Sequence, residues 1–565
     1  PPSLPPSLPL SVSPSLYLCA CVCVRVPLRC LSPGSLPFNT TPHLTLAPPS
    51  LQTREPQLTI QPRPIFMDVR TIPVEVLDTI LSFADHASLL GSAAATCQQW
   101  RLASDTSLRH LHLHLHRKTK GRIAPKMLCR NHPGLRDLAL FRRRAGDEDH
   151  TPLISEALKS LQCAPQVRHL TLENLNLSLV DTAPLVSFLE SHPNLRSLNL
   201  PKCEIGPYGL ERLTSCLQAN SIRQLDFSGN GLGDEGLRLL CKALVQSSTL
   251  RDLRLANNCF SKEGSEALAS LLAETSSLRL LDIRENFVGN ASCGVLGTGL
   301  RNNRSVTELN MSRMDADVEG WRSFMSEFRF NMGVKTLYLQ ENYICDPEAE
   351  EVALMLRDNL CLEVLDLSSC NIGPAGCASL ADALPRNRHL QSLILRENVN
   401  VGAEGVCNIL KGLQENSSLT LLDLTKTCDQ DVLCAEHLCG QSVVFVTPGN
   451  VDEERSEGDE LVAQFLCKNR SLRVLRLGEN LMERDAAGAL LAYNRGIQSL
   501  DVQFCYLAAA GCADLCRGLT QNNTLVHLNL SNNWITDEGC LQLASVLRDD
   551  LLLQTLELRC MGSLQ

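Results

Sequence analysis

The chain runs to 565 residues with a formal net charge of -10 and a pI near 5.8; it is 44% hydrophobic and 20% charged. That acidic balance argues against nucleic acid as its main ligand, and no apolar run reaches the ~20 residues needed to cross a bilayer. A chain of this length outgrows one compact core unless it extends by repetition.

Residues 1–66 hold 15 of the 28 prolines and a single acidic residue, Glu55. Pro-Ser-Leu-Pro occurs twice in tandem, as a CCCT tetranucleotide repeat would encode, and Cys19, Cys21 and Cys23 alternate much as a TG repeat would. The expectation is a disordered Pro-rich leader of translated non-coding sequence, with the protein proper starting at Met67. The functional alternative is a signal or transit peptide, since residues 15–24 are apolar.

Residues 67–106 form the next unit. Pro73 suits the first turn of a helix, and Glu75 is favourable near its N-terminus. Val76, Leu77, Ile80 and Leu81 make one apolar stripe. Asp85 and Ser88 are cap candidates for a second helix through Leu89, Leu90, Ala93 and Ala94. About 40 residues cannot bury that much apolar surface alone, so the segment should dock on something. From Ile72-Pro73 through Leu81-Ser82-Phe83 to Trp100-Arg101 and Ala103-Ser104-Asp105, it resembles an F-box. Ala84 and the one-residue-long stretch before Trp100 depart from that pattern. The resemblance implies a small all-α segment that binds a Skp-type adaptor, and through it a cullin. The adaptor-facing residues would be Pro73, Val76, Leu77, Ile80, Leu81, Leu89 and Leu90. A plain helical N-terminal cap for a solenoid is the alternative.

Residues 107–166 read as an N-terminal cap with degenerate repeats. His110, His112, His114 and His116 alternate with leucines and so share one strand face. They are expected as solvated residues, not metal ligands.

From residue 167 the chain repeats. The first apolar positions of the units are Val167, Leu195, Ile222, Leu250, Leu278, Val306, Val334, Leu362, Leu390, Leu419, Leu472, Ile497, Leu525 and Leu553. Most steps are 28 residues. Leu250 to Asn258 reads L-x-x-L-x-L-x-x-N, a short strand and a turn; Ala267, Leu268, Leu271 and Leu272 then recur at helical spacing. One strand and one helix enclose no core, so each unit needs its neighbours as walls. These units resemble ribonuclease-inhibitor-like leucine-rich repeats. The resemblance implies an α/β horseshoe solenoid over 167–565, with a parallel concave sheet and convex helices. The one 53-residue step holds the apolar run 442–450, read as a strand of a degenerate unit near 440–471. Fifteen strands at ~4.8 Å give an inner arc on the order of 70 Å. After Leu558 no polar outer cap is written, so the C-terminal cap is expected to be missing.

Several signals fit the repeat better than a site. Gly231 to Gly236 matches G-x-G-x-x-G, but its glycines fall in a repeat turn. Nine N-x-S/T triplets occur, among them Asn290, Asn303 and Asn469. Cys203, Cys370 and Cys505 replace the turn asparagine, no C-x-x-C pair exists, and reduced thiols in a cytoplasmic or nuclear setting are expected. The acidic run 452–460 reads as a solvated loop. Nothing calls for a cofactor, a metal or catalysis.

The concave face is the expected binding surface. One row holds Arg168, Arg196, Arg223, Arg251 and Arg279; a neighbouring row holds Asp226, Asp282, Asp366, Asp423 and Asp501. Such rows are expected to offset each other. Tyr338, Ile394 and Phe504 intrude among them with Arg284 and Arg396 near, and Tyr and Arg are common interface anchors. These five are the candidate substrate contacts. The leading functional expectation is a substrate-recognition subunit of an SCF-type ubiquitin ligase that holds a protein substrate and does no chemistry itself. A scaffold or signalling module without a ubiquitin role is the alternative. Regulation of a small GTPase, by analogy with the similar solenoid of a Ran GTPase-activating protein, is a third.

Overall fold

The computed structural model describes residues 110–115, 136–142, 158, 166–428 except 178–181 and 287, and 468–559 except 483–485 and 549–551. The F-box-like run 72–105, the leader 1–66 and the acidic run 452–460 lie outside the described residues.

Sixteen strands form one parallel sheet in strict chain order. The first three are β1 (His110–Leu115), β2 (Asp137–Arg142) and β3 (His169–Glu173). Three-residue strands follow: β4 (Ser197–Asn199), β5 (Gln224–Asp226), β6 (Asp252–Arg254), β7 (Leu280–Asp282), β8 (Glu308–Asn310), β9 (Thr336–Tyr338), β10 (Val364–Asp366) and β11 (Ser392–Ile394). The sheet closes with β12 (Leu421–Asp423), β13 (Val474–Arg476), β14 (Ser499–Asp501), β15 (His527–Asn529) and β16 (Thr555–Glu557). The alternating histidine segment is therefore a strand, as expected.

Helices return the chain between strands: α1 (Ala183–Ser191), α2 (Gly206–Ala219), α3 (Gly233–Leu244), α4 (Lys262–Glu274), α5 (Gly289–Arg301) and α6 (Val318–Phe328). They continue as α7 (Asp346–Asp358), α8 (Pro374–Ala383), α9 (Gly402–Gly412), α10 (Ala486–Tyr493), α11 (Ala508–Gln521) and α12 (Asp537–Leu547). The result is the open α/β horseshoe, with one continuous core of leucines between the strand and helix layers. Each three-residue strand from β4 to β15 buries its middle leucine, as Leu337 is buried between half-buried Thr336 and Tyr338.

Asparagines bind each turn to the next. Asn258 accepts from the Asn230 and Leu232 N–H groups and donates to the Phe227 and Leu255 carbonyls. Where cysteine replaces asparagine, the thiol takes over the donation: Cys203 to Leu172, Cys370 to Leu339 and Cys505 to Leu477, at 3.0–3.2 Å. Burial pushes the Cys203, Cys370 and Cys505 thiols up to about 12, so they remain protonated donors. A second asparagine ladder, not anticipated from the pattern, runs through the helix-to-strand turns. Asn303, Asn331, Asn387, Asn416 and Asn469 each donate to a carbonyl of the preceding helix end. Helix starts are also tied across units: Asp234 of α3 accepts from the Ser261 and Gly264 N–H groups at the start of α4.

β12 pairs directly with β13, Leu421 opposite Val474, and Asn480 accepts from the Thr427 and Cys428 N–H groups across the 53-residue step. The ladder is continuous there; the run 442–450, expected as a strand of a degenerate unit, lies outside the described residues. The sheet still exceeds the expected fifteen strands, because β1 and β2 extend it ahead of residue 167.

Candidate protein-binding surface

Tyr338 and Ile394 occupy the same register position on β9 and β11, with Asp366 of β10 paired to both. They stand roughly 10 Å apart, two strand spacings, and both are half-buried. Burial, with Glu308 and Asp366 adding, raises the Tyr338 phenol, so it stays a neutral donor. Arg396 is exposed two residues beyond Ile394, its Nε 3.3 Å from Glu397 Oε1. These three form one patch. Arg284 follows β7, two strands before the one that carries Tyr338, and its guanidinium turns to its own strand, 3.6 Å from Asp282.

Phe504 is not on a strand. It lies in the turn after β14 at φ 53°, the left-handed position that Glu341 and Glu397 fill in other units. Two residues on, Tyr506 packs edge-to-face against Trp534 of the next unit, ring centroids 5.0 Å apart. Phe504, Tyr506 and Trp534 are 46%, 51% and 46% exposed. The exposed Tyr506–Trp534 pair, with Phe504 open on the same turn as Tyr506, is an apolar cluster of the kind that anchors protein interfaces. Tyr506 and Trp534 escape a reading of the sequence because their importance rests on stacking across 28 residues. The signal available is their shared position, one residue past the ladder.

The charged rows behave differently from expectation. Asp423 pairs with Arg476 at 3.1 Å, while Asp366 accepts from Gln340. Burial raises the carboxyls of Asp282 and Asp501. None of the row arginines Arg168, Arg196, Arg223, Arg251 and Arg279 makes an ion pair among the described residues. No ion pair joins the two rows among the described residues, because the aspartates engage other groups of their own turn or of a neighbouring strand. Asp226, for instance, accepts from the Ser228 N–H. Among the described residues no group of His, Cys, Asp or Glu could hold a metal, and no helix is long and apolar enough to cross a membrane.

Turn ladder, parallel sheet and open aromatic cluster together define a leucine-rich-repeat solenoid that presents a surface for protein binding. The family described as Leucine Rich repeat matches residues 218–241, 246–269, 358–381, 386–409 and 521–544, stretches that include β5, β6, β10, β11 and β15. The chain is similar to ribonuclease inhibitor of Sus scrofa, 27% identical over 412 residues that cover 70% of this chain and 83% of that protein. It is also similar to NACHT, LRR and PYD domains-containing protein 14 of Homo sapiens, 31% identical over 38% of this chain but 23% of that protein. The solved structure of the Rad7 and Elc1 complex in yeast aligns over 83% of this chain and 96% of the matched chain, at 15% identity and a TM-score of 0.40. A likeness that loose carries no argument.

Proposed function

We propose that this protein is the substrate-recognition subunit of an SCF-type ubiquitin ligase: residues 72–105 hold a Skp-type adaptor and its cullin, and the solenoid holds a protein substrate. The observation that carries this reading is the F-box-like run, with Pro73, Leu77, Leu81 and Trp100 at the matching positions, directly ahead of an open protein-binding solenoid. The chain contributes no bond-making group. Its catalytic value is proximity, holding substrate lysines within reach of the transferring enzyme. The substrate contacts are the patch of Tyr338, Ile394 and Arg396 and the aromatic cluster around Tyr506 and Trp534.

Affinity purification of the full chain from cells tests the two halves separately. Wild type should recover adaptor and cullin, and the double variant Leu77→Asp/Leu81→Asp should lose both while keeping its solenoid partners. Tyr506→Ala with Trp534→Ala should do the reverse. Wild-type protein that recovers no adaptor refutes the ligase reading. The likeness to ribonuclease inhibitor over most of that protein's length favours a second reading, a binding protein with no ubiquitin role. A ribonuclease inhibition assay with the purified chain addresses it directly.

A further inference from the structure

Six consecutive strands, β2 to β7, are each entered through an arginine: Arg136, Arg168, Arg196, Arg223, Arg251 and Arg279. Backbone hydrogen bonds join them rung to rung. The N–H of Arg168 donates to the Arg136 carbonyl, Arg196 to Arg168, Arg223 to Arg196, Arg251 to Arg223 and Arg279 to Arg251, all at 2.7 Å. Successive rungs are therefore one strand apart, and the six cover roughly 24 Å of the rim where the chain enters the sheet. Five are exposed and Arg168 is half-buried.

The arginines are not neutralised. Among the described residues none of the six lies within ion-pair reach of a carboxylate, whereas Arg301, Arg313, Arg322 and Arg329 elsewhere on the solenoid each have one. Nearby carboxylates are engaged with other groups: Asp252 accepts from Gln224 Nε2 and Asp282 faces Arg284. Arg251 and Arg279 each give one guanidinium N–H to the carbonyl at the entry of the next unit, of Ser277 and Ser305. This lays their heads along the rim and leaves their remaining donors free. The row then changes character. Its next members are Thr307, Lys335 and Glu363, and the last two pair with each other at 2.6 Å.

We propose that this arginine ladder is a docking rim for an extended acidic segment of a partner protein. Guanidinium forks match carboxylates two donors at a time, and about seven extended residues at ~3.3 Å each cover the six rungs. A narrow peptide can follow the rim without reaching Asp226 and Asp282 further along the strands, whose charge would oppose a broad polyanion. Single-stranded nucleic acid is the poorer fit, because β3 to β7 offer no exposed aromatic side chain on which bases could stack. The site does not depend on the adaptor reading of residues 72–105.

The test uses the full chain and fluorescence anisotropy with a labelled ten-residue Asp/Glu peptide, a Gly/Ser peptide of equal length and an oligothymidylate. The acidic peptide should bind, weaken as salt rises from about 50 mM to about 500 mM, and outcompete both controls. Arg196→Glu/Arg223→Glu/Arg251→Glu should weaken it roughly ten- to a hundred-fold, and the milder triple Gln variant should weaken it less. Arg386→Glu, an exposed arginine in the turn after α8, should leave it unchanged. The proposal is overturned if the acidic peptide does not bind, if a triple variant that keeps the wild-type circular dichroism spectrum binds it as tightly, or if the oligothymidylate binds more tightly through the same arginines.

Discussion

Asn480 is the joint across the 53-residue step, and replacing it with alanine should cut the solenoid's cooperativity there. The side chain is fully buried. Its Oδ1 accepts from the N–H groups of Thr427 at 2.8 Å and Cys428 at 2.9 Å, and its Nδ2 donates to the Leu424 and Leu477 carbonyls. Alanine strands all four, but not equally. The Leu424 carbonyl keeps the Thr427 hydroxyl and the Leu477 carbonyl keeps the Cys505 thiol. The buried Thr427 N–H is then left with nothing, at about 1–3 kcal/mol, and the Cys428 N–H loses this acceptor at a smaller cost, for a total of about 3 kcal/mol. Because each repeat is supported only by its neighbours, a weakened interface lets the units on either side unfold separately. Urea denaturation followed by circular dichroism should show the single transition of the wild type give way to an earlier one of lower slope. Asn480→Asp keeps the acceptor and should fall between the two. A loss below about 1 kcal/mol with unchanged slope would refute the reasoning.

Burial sets several further expectations. The thiols of Cys203, Cys241, Cys293, Cys370, Cys377 and Cys505 are pushed up to about 12 by burial. Below the ordinary thiol value of about 8.5 both folded and unfolded states hold these protons. Between there and about 12 only the unfolded chain ionises, so stability should fall by about 1.4 kcal/mol per pH unit per thiol. Urea midpoints measured from pH 7 to pH 11 should be flat and then drop, and a flat profile throughout would count against it. Among the described cysteines of the native protein, a thiol reagent should modify exposed Cys259 first and leave those six untouched until unfolding. A Cβ at Gly488 would lie 2.3 Å from the Asp514 carbonyl oxygen, so Gly488→Ala should push α10 from α11 and cost about 1–3 kcal/mol by thermal melting. Four of the nine N-x-S/T asparagines, Asn303, Asn416, Asn469 and Asn522, donate to backbone carbonyls in the second ladder. Peptide mapping of protein made in a glycosylating host should find them bare in folded material.

The repeat was legible in the sequence because its cause is local. A strand of L-x-L type, a turn residue able to satisfy backbone groups and a helix with one apolar face are written within 28 residues, and the spacing of Leu250, Leu278 and Val306 alone places successive strands side by side. The replacement of turn asparagines by Cys203, Cys370 and Cys505 could be seen for the same reason. The features the sequence could not decide depend on contacts one unit away or more. That the ladder runs unbroken across the 53-residue step is a consequence of Leu421 meeting Val474, and the second ladder exists only because Asn303 finds a carbonyl 31 residues back. Phe504 has a strand-like neighbourhood in sequence, yet it falls off the sheet, in the same turn as Tyr506. The row of arginines was plain to read, but whether the aspartates neutralise it is a question of which oxygen reaches which nitrogen. Only the packed strands answer that, by giving the Asp252 carboxylate to Gln224 and leaving the Arg223 and Arg251 guanidiniums without an acidic partner.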